Sequence, residues 1–205
     1  MTHAKLLWNY QNFKTYSTKP NLINKNVQDI LELNQVHSNK IINIHRLQIR
    51  NKLLADGIYW EKHPKNLSLV IKTADCLPIG LLGEQNGAFL HCGWRPLNLG
   101  IIAQLQNYLS QLDTLIIGPS IGPCCFEVGP EVLECFPANF RVLGKNNQFN
   151  HLDLAQIAIH QALKYFPIKK IIHHHQCTCC AENKSDYPSY RRDKTTQRLW
   201  NILEF

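Results

Sequence analysis

Three short apolar segments in the middle of the chain restrict the fold more than any other feature. Residues 67–71, 78–82 and 87–90 have the length and composition of strands, and the turn-like residues 83–86 separate the second segment from the third. Strands spaced so closely predict a sheet at the centre of the fold. No linker or internal repeat divides the chain of 205 residues, so we expect a single domain.

Helical periodicity follows this central region. Residues 98–112 carry apolar side chains at the spacing of one helix face (Ile101, Ile102, Leu105, Tyr108, Leu109 and Leu112). A second helix is predicted over residues 153–166, with Asp153 at its N-terminal end and Pro167 after its last turn. A further helix is expected before Gln35.

Two more strands, residues 114–117 and 168–172, each follow one of these helices. The alternation is irregular and the β segments are concentrated in the middle. This pattern predicts an α/β (α+β) domain with a mixed β-sheet flanked by helices, rather than a repeated βαβ fold. No Gly-x-Gly-x-x-Gly or Walker pattern occurs, which argues against a dinucleotide or P-loop site.

Charge and cysteine content restrict the function only partly. The net charge is +7, which is compatible with an anionic partner but also with a biased composition, because the basic residues are scattered. The sequence has neither a secretory start nor an apolar stretch that could span a membrane, so we expect a cytoplasmic protein. There, the eight cysteines are expected to be reduced and catalytic or metal-binding rather than paired in disulfides.

Three segments combine residue types that can carry chemistry. His37 follows the helix expected before Gln35, Cys76 lies between two predicted strands, and His91 ends a third strand. Two imidazoles and one thiolate would give a divalent ion three ligands and leave a fourth position open, as in catalytic zinc sites. Copper accepts the same ligands. Each residue alone is more often structural, and sequence spacing does not show that the three meet.

Several motifs and their order along the chain resemble those of the bacterial laccase-domain family. Members of this family are labelled polyphenol oxidase, peptidoglycan editing factor or purine nucleoside phosphorylase. The resemblance covers residues 34–203. It rests on the segments Asn-Gln-Val-His-Ser at 34–38, Ala-Asp-Cys-Leu-Pro at 74–78, His-Cys-Gly-Trp-Arg at 91–95, the Gly/Pro-rich loop 118–129, Leu-Asp-Leu at 152–154 and Ser-Tyr-Arg-Arg-Asp at 189–193.

This resemblance implies both a fold and an activity. The fold would be related to toxin-type cysteine hydrolases, and the catalytic and metal-binding triad would be His37, Cys76 and His91. The activity would be phosphorolysis of adenosine, inosine, guanosine and methylthioadenosine, together with adenosine deamination, with zinc or copper as the cofactor. Purine nucleosides and phosphate would be the partners, without a membrane or a specific nucleic acid, and a homo-oligomer would be compatible with this.

The chain departs from the family pattern at several positions. Residues 1–33 form a divergent, shortened N-terminal segment that lacks the family's glycine-rich motif, so residues 34–205 would form the functional domain. Cys92 and Pro96 replace an alanine and a glycine of the family pattern, and Gln197 stands where a glycine is typical. These changes spare the proposed ligands but affect the expected substrate pocket.

Four further features suit supporting roles. The loop 118–129 is rich in glycine and proline and can bring backbone N–H groups close to a ligand, although a tight turn explains it equally well. Arg95 and Arg192 are candidates for binding substrate, but each can also make structural contacts. Cys177 and Cys180 form a Cys-x-x-Cys pair after three histidines, but the sequence shows no second well-spaced pair to complete a zinc site.

Three other functions remain open on the sequence. Cys76 could act as a nucleophile activated by His91, in an amide hydrolase that edits peptidoglycan precursors. A copper-dependent polyphenol oxidase is a weaker alternative, because three ligands bind a single ion. The shortened N-terminal segment is also compatible with an inactive metal-binding relic.

Overall fold

The computed structural model describes residues 4–20, 29–46, 53–145 and 147–205. The strands are β1 (Leu6–Tyr10), β2 (Phe13–Tyr16), β3 (Asp29–Glu32), β4 (Ile41–Asn43), β5 (Gly57–Trp60), β6 (Leu67–Thr73), β7 (Leu77–Leu82), β8 (Gly87–Cys92), β9 (Thr114–Ile117), β10 (Arg141–Val142), β11 (His151–Leu152), β12 (Lys170–His173) and β13 (Leu199–Glu204). The α-helices are α1 (Trp94–Asn98), α2 (Ile101–Gln104), α3 (Pro130–Leu133), α4 (Leu154–Tyr165) and α5 (Tyr190–Asp193). Short 3₁₀ turns lie at Ile44–Arg46, Leu105–Asn107 and Ala138–Phe140.

These strands form two large mixed sheets and one small antiparallel pair, β10–β11. The six-stranded sheet has the order β12-β9-β7-β8-β5-β4, with parallel pairs at its two edges. The five-stranded sheet has the order β1-β2-β13-β6-β3, and β3 runs parallel to β6. The predicted α+β class with mixed β structure is therefore confirmed, although two large sheets replace the one expected. Three strands from the segment before residue 34 belong to the five-stranded sheet.

The six-stranded sheet is the middle layer of the fold. On one face, Phe89 and Ile116 pack against the five-stranded sheet through Phe13, Leu69 and other buried side chains. On the other face, the residues next to Phe89 in β8 and next to Ile116 in β9 pack against α1, α2 and α4. Both faces of the central strands are thus removed from water, which explains why the sequence shows continuous apolar runs there instead of an alternating pattern.

The predicted helices differ in their outcome. The helix predicted over residues 153–166 is confirmed as α4, and Asp153 caps it by accepting a hydrogen bond from the backbone N–H of Gln156 at 3.0 Å. The single helix predicted over residues 98–112 is wrong. Gly100 adopts a left-handed conformation with φ of 74°, which separates α1 from α2. Only a 3₁₀ turn follows α2, although Leu109 and Leu112 are buried as predicted.

The helix expected before Gln35 is also wrong where it can be compared with the structure. Residues 29–32 form β3, which pairs with β6 along four residues. Pairing with the edge of an existing sheet satisfies the backbone hydrogen bonds of this segment in an extended conformation, and local sequence alone does not show this contact. Residues 21–28 lie outside the described part of the chain.

Candidate active site

The structure brings His37, Cys76 and His91 together at the end of the central sheet. The ligand atoms of the three side chains all lie within 4.8 Å of one another. Cys76 Sγ is 3.8 Å from His37 Nε2, and the two imidazole rings are 4.8 Å apart in an edge-to-face arrangement. His91 is buried, Cys76 is half-buried and His37 is exposed, so the cluster is open to solvent on one side.

The strand pairing explains why Cys76 meets His91. Residues 74–76 pass from β6, in the five-stranded sheet, to β7, in the six-stranded sheet. β7 pairs with β8 so that Leu77 is opposite Cys92 and Pro78 is opposite His91. The residue before β7 therefore lies beside the C-terminal end of β8, where His91 is held rigidly.

Backbone conformation next to the cluster is unusual and shapes it. His37 and Asp75 both have positive φ, at 58° and 88°, in the region that non-glycine residues seldom occupy. Gly93 has no side chain, and a Cβ placed there would lie 2.9 Å from Cys76 Sγ and 3.5 Å from the ring of His37. A glycine at position 93 therefore leaves room for the sulfur.

Asp56 holds two of the three side chains in place. It is fully buried, and its carboxylate accepts hydrogen bonds from the backbone N–H groups of His37 at 2.9 Å and Ser38 at 2.6 Å. The same carboxylate lies 2.8 Å from Nδ1 of His91. Because a carboxylate accepts, Nδ1 donates, and Nε2 of His91 is left as the nitrogen that can bind a proton or a metal beside Cys76.

The charges in the cluster stabilise one another. Burial alone would raise the pKa of Cys76, but the charge of His91 and hydrogen bonds from His37 and His91 lower it to about 6. Burial alone would lower the pKa of His91, but the Cys76 thiolate and Asp56 raise it to about 9. Both shifts favour a thiolate beside an imidazolium over the neutral pair in the metal-free site. Cys92, by contrast, is a buried core thiol whose pKa is raised by burial and by the charge of Cys76.

A cleft of about 740 Å³ opens over the cluster. It also contains the aromatic side chains of Trp94, Phe126 and Tyr190. Five cationic residues line it, and Asp75 is the acidic residue that lines it with them. The cations are Lys72, Arg95, Arg191, Lys194 and Arg198. A volume of this size suits a small organic ligand, and the excess of positive charge favours one that carries an anionic group.

The two arginines predicted to bind substrate lie in different surroundings. Arg95 is exposed in the cleft, and its guanidinium stacks on Trp94 with 4.6 Å between their centres. Arg192 is not among the residues that line the cleft. Its guanidinium donates to the backbone carbonyls of Thr178, Cys179, Lys184 and Tyr187, and it pairs with Asp193. Arg191, next to it in the sequence, lines the cleft instead.

Sequence reasoning missed Asp56 and gave no role to Asp75. Asp75 accepts hydrogen bonds from the hydroxyl of Thr178 at 2.7 Å and from the backbone N–H of Arg191 at 2.6 Å, so it fixes the C-terminal wall of the cleft behind Cys76. The sequence gives one signal for Asp56: it is an acidic residue immediately before β5, all four residues of which are buried. A charged residue in such a place is seldom fully buried without a partner.

Fold and site together define an α+β protein with a two-imidazole, one-thiolate cluster in a basic cleft. The family described as multi-copper polyphenol oxidoreductase laccase matches residues 11–204 of the chain. The chain belongs to this family, as its motifs predicted, and the match begins upstream of residue 34. In the described part of the chain, no helix is long and apolar enough to cross a membrane.

Curated relatives of the chain carry the name purine nucleoside phosphorylase. The protein of Aquifex aeolicus is 38% identical over 139 residues, which are 66% of this chain and 64% of that protein. This chain therefore spans a little less than two thirds of that relative. The protein named purine nucleoside phosphorylase YfiH of Shigella flexneri is 32% identical over 182 residues, which are 83% of this chain and 72% of that protein.

Solved structures share the fold over most of the chain. The hypothetical protein YfiH of Bacillus licheniformis has a TM-score of 0.78 at 19% identity and covers 99% of this chain and 96% of its own. YlmD of Geobacillus stearothermophilus has a TM-score of 0.72 at 24% identity and covers 85% of this chain and 73% of its own. At these identities the likeness concerns the fold alone.

Proposed function

We propose that the chain is a metal-dependent purine nucleoside phosphorylase, acting on adenosine, inosine, guanosine and methylthioadenosine, with adenosine deaminase activity as a second reaction of the same site. One observation carries the proposal: His37, Cys76 and His91 converge on one point in a basic cleft. The name shared by the relatives supports the same substrate class. Residues 34–205, which contain these three residues, are the proposed functional domain, and the cytoplasm, where thiolate ligands stay reduced, is the proposed location.

The residues present fit a metal ion. Two imidazole nitrogens and a thiolate are the donors that zinc prefers, and copper also accepts them. Asp56 bonds to the second nitrogen of His91, an arrangement typical of metal-ligating histidines. We propose zinc, held by His37, Cys76 and His91, with copper as the alternative. When bound, such an ion supplies Lewis acidity at its open position.

The side chains of the cleft have separate tasks in this proposal. Arg95 and Arg191 bind the phosphate that phosphorolysis requires, since guanidinium groups pair with phosphate through two parallel hydrogen bonds. Trp94 and Phe126 offer aromatic surfaces to the purine. Arg191 is already oriented, because it donates to the carbonyl of Glu127 and lies over the ring of Phe126. Arg192 does not contact the ligand in this proposal; it supports the C-terminal wall of the cleft through its hydrogen bonds to backbone carbonyls.

Product analysis tests the proposal. Metal-loaded protein is incubated with adenosine or inosine, with and without phosphate, and bases and nucleosides are separated by chromatography. We expect free base that depends on phosphate, and inosine formed from adenosine, both lost in Cys76→Ala. Cys135→Ala is the matched control, because this half-buried thiol lies outside the cluster. If wild-type protein forms no product, or Cys76→Ala retains the activity, the assignment is wrong.

A second candidate function is favoured by the same geometry without a metal. Cys76, His91 and Asp56 have the order of a thiolate, a base and an orienting carboxylate, which is the arrangement of cysteine hydrolases. The substrate would be an amide, such as a peptidoglycan precursor carrying the wrong amino acid. This candidate requires activity that survives chelation and is abolished by alkylation of Cys76. Activity lost on chelation and restored by zinc contradicts it.

A further inference from the structure

We propose that Cys124, Cys125, Cys177 and Cys180 form a second metal site, which holds one zinc ion through four thiolates. The site is separate from the cluster of His37, Cys76 and His91 and does not depend on the proposed function. The Cys-x-x-Cys pair was visible in the sequence, but its partner was not. The structure supplies the partner, an adjacent Cys-Cys pair more than fifty positions upstream.

The four sulfur atoms have the spacing of a single tetrahedral ion. All four lie within 4.8 Å of one another, and Cys124 Sγ is 3.6 Å from Cys180 Sγ. Zinc–sulfur bonds of about 2.3 Å place tetrahedral ligands about 3.8 Å apart. Small movements of the side chains would therefore close the site. Since Cys124 and Cys180 are exposed, an ion can reach the cluster from solvent.

Backbone contacts bring the two cysteine loops together independently of any ion. Ser120 and Cys177 form a parallel bridge, and the N–H of Thr178 donates to the carbonyl of Ser120 at 3.0 Å. Gly122 allows the close approach, because a Cβ there would lie 3.3 Å from Cys177 Cβ and 3.4 Å from Cys124 Sγ. Main-chain contacts thus hold the two loops side by side, so that binding an ion requires side-chain movement only.

The surroundings of Cys177 are those of a metal-bound thiolate. The N–H of Gly122 donates to its sulfur at 3.2 Å. Donors directed at a ligand sulfur are the outer contacts that stabilise thiolate in metal sites.

Four thiolates favour zinc in a structural role. Sulfur-only tetrahedral sites select zinc or iron, and a closed set of four ligands leaves no position for substrate. Thr178 lies inside the Cys-x-x-Cys turn, and its hydroxyl donates a hydrogen bond to Asp75. The carboxylate of Asp75 also accepts a hydrogen bond from the backbone N–H of Arg191. An ion here would therefore fix the wall of the cleft behind Cys76. A disulfide between Cys124 and Cys180 is the competing outcome for these thiols.

The test uses the full chain carrying Cys76→Ala, so that the first cluster does not contribute. Protein is purified under reducing conditions and dialysed against a weak chelator, and its zinc is measured by mass spectrometry. We expect one zinc ion per chain, retained when Cys179→Ser is added and lost when Cys180→Ser is added. Cys179 is the matched control, because it lies in the same turn but outside the four-thiol set. Equal zinc in the Cys179→Ser and Cys180→Ser proteins would overturn the proposal.

Cobalt provides a second readout that needs no substitution among the four cysteines of the proposed site. Cobalt(II) added to the Cys76→Ala protein is expected to give the intense thiolate charge-transfer and visible bands of a tetrathiolate site. Cobalt bound only by the three consecutive histidines His173, His174 and His175 would lack those bands and would overturn the proposal. Recovery of a Cys124–Cys180 disulfide from protein alkylated at lysis would overturn it as well.

Discussion

Replacing Asp56 by asparagine tests the arrangement of the active site most directly. The substitution keeps the size of the side chain but removes the negative charge. The carboxylate has a pKa lowered from 3.8 to about 2, because hydrogen bonds from His91 and Ser38, together with the charge of His91, outweigh the effect of burial. A difference of about two pKa units corresponds to about 2–3 kcal/mol of folding free energy.

The sign of this contribution sets the pH window. A carboxylate with a lowered pKa in the folded state contributes its full stabilisation above the ordinary pKa of 3.8, and this is lost as the pH falls towards 2. We therefore expect metal-free Asp56→Asn to be less stable than wild type at pH 7 by about 2–3 kcal/mol, with a smaller difference at pH 3. Urea unfolding at the two pH values measures this.

The same substitution should weaken metal binding. The NH2 of an asparagine must face either His91 Nδ1 or the N–H of Ser38, because Asp56 accepts from both with its two oxygens. The orientation of His91 Nε2 is therefore held less firmly, and loss of such outer support typically costs about 10–100-fold in affinity. Zinc competition against a chelating dye measures the change, with Asp29→Asn on exposed β3 as the control. Wild-type affinity and stability in Asp56→Asn would refute the role given to this carboxylate.

Three further substitutions and one pH titration give separate predictions. Gly93→Ala should reduce zinc affinity and turnover by about tenfold or more, because the new Cβ would lie 2.9 Å from Cys76 Sγ. Zinc titration measures the affinity, and circular dichroism checks that the protein remains folded. In chelated protein, alkylation of Cys76 by iodoacetamide should rise with pH around a midpoint near 6, since the thiolate forms above that pKa; a midpoint near 9, measured by peptide mass spectrometry, would contradict the assigned surroundings. Arg95→Ala should raise the KM for phosphate about tenfold or more with little change in melting temperature, because the side chain is exposed in the cleft. Arg192→Ala should instead destabilise the fold by about 2–4 kcal/mol, because its bonds to four carbonyls are lost; a rise in KM without loss of stability would reverse the roles of these two arginines.

The sequence predicted the central strands, because residues buried on both faces of a sheet leave continuous apolar runs that need no knowledge of their neighbours. It also predicted α4, whose cap and apolar face are local features. It failed for the helix over residues 98–112, where a single left-handed glycine interrupts an otherwise regular pattern. It failed again at β3, where pairing with β6 decides the conformation.

The candidate site also combines features that the sequence predicted with features that depend on contacts between distant segments. His37, Cys76 and His91 could be selected from residue type and motif, since few side chains bind a metal or act as nucleophiles. Their convergence depends on the register of β7 with β8 and on the loop that Asp56 holds, and both are contacts between distant parts of the chain. Asp56 itself lies in no recognisable motif, and its role follows only from its burial against His91.

The sequence alone determined which chemistry is available, because imidazole, thiolate and guanidinium groups have fixed ligand preferences wherever they stand. Only the tertiary structure decided which of these groups act together. It placed Arg191 rather than Arg192 in the cleft, and it brought Cys124 and Cys125 to Cys177 and Cys180. The physical reason is that ligand sets form through strand register and loop contacts between remote segments, and spacing along a sequence does not record those contacts.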